Sequence, residues 1–132
     1  MNCAEFKTIR ETLGLTVQTV ADELGVDKRT ATKWELDTQP SAKAVTWILS
    51  KWQIRMEQLQ RVLDQLAAFE DEYGEPDTVE LTRYASRVSA ERSGVTLDEL
   101  NATASTVGQI ALLCELFDYP WSVKWVRVEG QA

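Results

Sequence analysis

Apolar residues recur through the first fifty positions at the three- and four-residue spacing of helices. Phe6, Ile9 and Leu13 share one face, and Gly14 follows where a left-handed cap belongs. The spacing predicts a first helix over 4–13. Thr16 is a good N-cap for a second helix, with Val17, Val20, Ala21 and Leu24 on its inner face and Gly25 at its end. Asp27 caps a third, running from Lys28 to Leu36, and Gln39-Pro40-Ser41 breaks the chain and starts it again. A fourth helix begins near Ser41 and reaches about residue 70. Val45, Leu49, Trp52, Met56, Leu59, Leu63 and Leu66 mark a heptad seam along it. The seam reads as intramolecular core in preference to a coiled-coil dimer, and its length invites a break in the middle.

The run Glu70-Asp71-Glu72-Tyr73-Gly74-Glu75-Pro76-Asp77 is polar, with Gly and Pro, and serves as a domain boundary. Beyond it, Thr78 to Tyr84 alternates apolar and polar residues with β-branched members, as a strand does. Ala85 to Arg92 reads as a short helix, and Thr96 with Glu99 as a capping box. Val107, Ile110, Ala111, Leu113, Cys114 and Phe117 form an amphipathic helix stopped by Asp118-Tyr119-Pro120, and Ser122 to Val128 is a second strand. The two strands pair with each other or across a dimer axis, because a lone strand exposes its backbone groups. The fold class is therefore mainly α with a small β element (α+β). An N-terminal four- or five-helix domain covers 1–72, and a C-terminal dimerisation part with two short strands covers 78–132.

Composition narrows the chemistry. The 132 residues include no histidine, which removes Ser-His-Asp triads, Cys-His pairs and His-ligated zinc. There is no phosphate-binding glycine loop, and Asp64, Glu70, Asp71 and Glu72 read as a solvated helix end, not a metal site. No enzyme, cofactor or metal is expected. No apolar run approaches the roughly 20 residues of a membrane span. Met1 to Glu5 lacks a signal-peptide pattern, and Cys3 and Cys114 read as reduced thiols, so a cytoplasmic location is expected.

The net charge of −7 argues against a polyanionic partner until its distribution is considered. Residues 1–61 hold nine Lys/Arg and eight Asp/Glu, whereas residues 62–132 hold five and thirteen, so the acidity belongs to the second half. An acidic second half repels DNA and orients the first half toward it. The second and third helices meet across Leu24-Gly25-Val26-Asp27, where Gly25 permits a left-handed turn and Ala21 allows close approach. The third helix then offers Lys28, Arg29, Thr32 and Lys33 on one face. Long cationic donors reach guanine O6 and N7 in a major groove, and Thr contacts a thymine methyl. Thr30 beside the turn is a candidate phosphate contact, with Lys43 and Lys51 weaker ones. The plain alternative is a solvated basic face.

These residues resemble the Cro and repressor (XRE-type) helix-turn-helix family. The likeness rests on Ile9 to Thr16, Val20 to Val26, Arg29-Thr30, Trp34-Glu35 and Pro40, and covers about residues 4–50. It implies a double-stranded DNA partner and base-reading positions at Lys28, Arg29 and Lys33. It also implies a structural ion pair between Arg10 and Glu35. Where that family has Gln reaching a phosphate, this chain has Val17, which leaves Gln18 or Thr16 for the contact. Trp34-Glu35, Arg55-Met56 and Leu81 to Tyr84 are more faintly similar to phage repressors and regulators that accompany anti-CRISPR genes. The function implied is a homodimeric (auto)repressor of phage or bacterial origin on an inverted-repeat operator, nucleoid-associated in the cytoplasm. A protein-interaction module, such as an antitoxin or a host-factor-binding phage protein, is the other reading, favoured by the acidic second half. Whether a dimer forms through the long helix or the strands stays open.

Overall fold

The computed structural model describes residues 1–84, 94 and 97–126. They form five helices and two strands: α1 (Cys3–Thr12), α2 (Val17–Leu24), α3 (Lys28–Lys33), α4 (Ala42–Tyr73), β1 (Val79–Tyr84), α5 (Leu97–Leu116) and β2 (Trp121–Val126). The mainly helical class with a small β element is what the hydrophobic periodicity implies. The expected Ala85–Arg92 helix, Thr96 of the capping box and the end of the second strand beyond Val126 lie outside the described residues.

The chain divides into two compact units, Met1–Met56 and Glu57–Ala132. The division falls inside α4, before the Gly/Pro loop that the sequence marks as a boundary. The second half of α4 has apolar residues of its own: Val62, Leu66 and Phe69 border a cleft with Val79, Leu81 and Ile110. That half therefore belongs with the strands.

In the first unit each helix starts on a side-chain cap. The Asn2 side chain accepts from Glu5 N at 2.8 Å while Asn2 N donates to Glu5 Oε1 at 3.0 Å, a capping box absent from the sequence reading. Gly14, at φ 71°, ends the first helix as the donor to Glu11 O, and Leu15 N reaches Arg10 O, a Schellman closure. Thr16, Asp27 and Ser41 cap α2, α3 and α4 through Thr19 N, Thr30 N and Ala44 N. The core is Phe6, Leu13, Val20, Ala21, Leu24, Ala31, Trp34, Ala44 and Ile48. Phe6 meets Trp34 edge-on at 6.1 Å between ring centroids.

Two expectations are corrected here. Helix α3 stops at Lys33 rather than Leu36, because the Lys33 carbonyl accepts from Leu36, Asp37 and Thr38 and winds the chain into turns. Helix α4 runs unbroken for 32 residues; no Gly or Pro falls within it to interrupt the ladder. Its buried positions are Ala44, Ile48 and Arg55, while Leu49 and Met56 of the heptad seam are exposed. The face that packs in the first unit thus lies beside the seam, which contributes Trp52, half-buried against the core.

In the second unit β1 and β2 pair in parallel, from Val79↔Trp121 to Tyr84↔Val126. A parallel pair cannot close through a hairpin, and α5 occupies the crossover between the strands. Val107, Ala111 and Cys114, at i, i+4 and i+7 of α5, are buried. The turn into β2 is held by Tyr119 N on Cys114 O and Tyr119 Oη on Glu70 Oε2, both at 2.7 Å. Asp118 takes the left-handed conformation there, at φ 59°.

Candidate DNA-binding surface

The geometry of the α2–α3 corner follows from small residues. Ala21 and Ala31, both fully buried, let the two helices approach. Gly25 turns the chain at φ 67°, and Val26 N donates to Ala21 O at 3.0 Å. Ala31 and Trp34 anchor α3 inward. At 100° per residue this leaves Lys28, Arg29, Thr32 and Lys33 on the opposite side. Lys28, Arg29 and Lys33 are exposed there, and Thr32 is half-buried with its hydroxyl on Lys28 O at 2.8 Å.

The other candidate contacts are distributed more unevenly. Thr16 is half-buried and its hydroxyl is committed to the α2 cap; Gln18 is exposed and donates to Asp22 Oδ1 at 2.8 Å. Thr30 is half-buried and serves Asp27 with both hydroxyl and N–H. Those bonds, with the nearby Arg29 and Lys33 charges, hold the Asp27 carboxyl below its ordinary range. Lys43 is exposed in the first turn of α4, beyond the Trp34–Pro40 turns, and Lys51 sits over the Trp47 ring at 5.9 Å.

Arg10 and Glu35 join α1 to the end of α3. Arg10 Nε and Nη2 fork onto the two Glu35 oxygens at 2.6 and 2.9 Å, and Nη1 donates to Leu15 O at 2.8 Å. Both side chains are mostly buried, so the pair ties the end of α3 to α1 and to the start of α2. Arg55, unassigned from sequence beyond its part in the fainter likeness, is a second buried cation. Its Nη2 approaches Leu13 O at 3.4 Å, and burial lowers its pKa. An arginine among the exposed positions of an amphipathic helix offers no sequence signal that it turns inward. Among the described residues no cluster of His, Cys, Asp or Glu could hold a metal, and no helix is long and apolar enough to cross a membrane.

Comparison with curated proteins returned no match. A family model described as helix-turn-helix matches residues 6–46, the stretch that carries the caps of α2, α3 and α4, the Gly25 turn, the Arg10–Glu35 fork and the exposed face of α3. Residues 6–46 are thus a helix-turn-helix domain of the Cro/XRE type, the DNA-binding part of a regulator.

Proposed function

We propose that the protein is a sequence-specific repressor that binds an inverted-repeat operator as a homodimer and occludes its own promoter. The observation that carries this reading is the face of α3, where three exposed cations and Thr32 stand opposite the buried Ala31 and Trp34. In the proposal Lys28, Arg29 and Lys33 read base edges. Thr32, its hydroxyl occupied, contacts a thymine through its methyl. Thr16, Gln18, Thr30 and Lys43 approach phosphates. One such helix reads only a few base pairs, and a two-fold pair about one DNA turn apart supplies the remaining specificity. Residues 78–132 hold the dimer. A phage or bacterial setting and a nucleoid location in the cytoplasm belong to the same reading.

The test is a fluorescence-anisotropy titration with DNA from upstream of the protein's own gene and a scrambled duplex, at two salt concentrations. A preference of about a hundredfold or more that persists at higher salt supports the repressor, since specific sites commonly exceed non-specific ones by far more. Weak binding, equal on both and lost with salt, reflects phosphate attraction alone. That result favours the second reading, a protein-interaction module. The feature behind it is the excess of eight acidic groups in residues 62–132, five Lys/Arg against thirteen Asp/Glu.

A further inference from the structure

The small sheet is amphipathic. Glu80 and Lys124 form an ion pair across it, Thr82 and Ser122 share their side, and Tyr84 and Val126 close that side at its end. The opposite side carries Val79, Leu81 and Arg83 from β1 and Trp121, Val123 and Trp125 from β2. Helix α5 borders that second side along Gly108, Leu112 and Glu115, and a groove of about 530 Å³ runs between the helix and β2. Two residues of its walls stand in solvent, Leu112 at 71% exposure and Trp125 at 54%, and Leu116, one turn beyond Leu112 on α5, is 74% exposed beside the groove. Among the described residues no third strand pairs with the outer edge of β2.

We infer that this groove and the outer edge of β2 are the dimer interface, with β2 pairing antiparallel to β2 of a second copy about a two-fold axis through Val123. The inference rests on the homodimer reading above and gives it a surface and a register. Three observations select a second copy as the occupant. An unpaired strand edge is a template for another strand, and an antiparallel partner extends the apolar side of the sheet. A wholly exposed tryptophan presents roughly 250 Å², and a leucine or valine nearer the lower end of the roughly 150–250 Å² range of large side chains or below it. Leu112, Leu116, Trp121, Val123 and Trp125, two-fifths to three-quarters exposed, therefore offer about 500 Å². With the backbone edge this approaches the ~800 Å² per partner of a stable interface.

Charge supplies the third observation. Arg83 stands over the Trp125 ring at 5.6 Å, and Glu115 accepts from Trp121 Nε1 at 2.9 Å. Each end of β2 thus carries one charge of opposite sign beside its tryptophan. Antiparallel pairing about Val123 sets Trp121 of one copy opposite Trp125 of the other. Glu115 of each copy then faces the end that holds Arg83 of the other, the self-complementarity an isologous interface requires.

Sedimentation equilibrium on the full chain tests this. The wild type is expected to be a dimer at micromolar concentration. Leu112→Asp and Trp125→Asp are expected to raise the dimer dissociation constant at least a hundredfold, with unchanged far-UV circular dichroism, while Leu49→Asp on α4 leaves it unaltered. Arg83→Glu and Glu115→Arg are each expected to be monomeric alone, yet to form a heterodimer when mixed. A purely intrachain role for either residue is not repaired by mixing, so this arm remains decisive even where an apolar-to-Asp variant unfolds. A wild type that stays monomeric overturns this interface and the homodimer reading together. A dimer that survives both groove substitutions, fails to reassemble from the charge pair, or dissociates on Leu49→Asp overturns this interface alone.

Discussion

At the scale of single residues, charges in the helix-turn-helix unit divide into those that build and those that present. Arg10 and Glu35 build: fork geometry and burial make each dependent on the other. Truncating one partner strands a buried charge, so Glu35→Ala is expected to cost about 3 kcal/mol in urea denaturation. Replacing both with apolar residues of similar size recovers most of that loss. A loss in the double variant as large as in the single one would show that the pair adds stability beyond mutual neutralisation. Arg29 presents. On the reading above, Arg29→Ala weakens operator binding by roughly 1–3 kcal/mol and relaxes specificity at one base pair per half-site. Equal loss on operator and scrambled DNA would remove it from base reading. Asp27 also builds, as the N-cap of α3. Its carboxyl is lowered by the Thr30 hydroxyl and N–H. The folded pKa lies below the unfolded one, so its stabilising contribution is present above the ordinary carboxylate range and fades as pH falls through the folded value. Wild type is therefore expected to lose melting temperature below about pH 4 more steeply than Asp27→Asn, which keeps a capping oxygen without the titration.

At the scale of elements, what was legible in the sequence is what depends on near neighbours. The caps at Thr16, Asp27 and Ser41, the left-handed glycines 14 and 25 and the breaks around them place α1, α2 and the start of α3 and α4 within a residue or two. The face of α3 was readable for the same reason, since Ala31 and Trp34 fix its inner side. Less legible was anything decided by distant packing. The heptad seam along α4 is a true periodicity, yet Ile48 and Arg55 turn inward while Leu49 and Met56 face water. Local spacing cannot say which of two adjacent apolar stripes meets a core formed thirty residues earlier. Parallel pairing of β1 and β2 is equally non-local, because alternation marks a strand and leaves its partner's direction open. Gly25 supplies a test at this scale. Space around it is open, so the cost of Gly25→Ala comes from the left-handed backbone alone. A loss of about 1–2 kcal/mol is expected, with the same α2–α3 fold by circular dichroism. A larger loss would mean that the corner tolerates no methyl group despite the open space.

At the scale of the whole molecule, a chain of net charge −7 that binds DNA needs its charges segregated. The near balance of residues 1–61 against the strong acidity of 62–132 provides that. Long-range attraction to DNA is then weak, and on the proposed reading affinity depends on a few cations placed at phosphates and bases. The consequence is measurable. Salt dependence of operator binding should be shallow for a dimer, with each phosphate contact adding about 0.9 to the slope of log K against log salt. On the proposed homodimer reading, Lys43→Ala removes one phosphate contact per subunit, and should lower that slope by about 2 and weaken operator and scrambled DNA to a similar extent. An unchanged slope would place Lys43 away from the phosphates. Neutralising acidic residues of 62–132 that lie far from the DNA should speed association at low salt and leave dissociation unaltered, because remote charge acts on the encounter and not on the docked contacts. Slower dissociation in such a variant would instead mean that the acidic half touches the DNA.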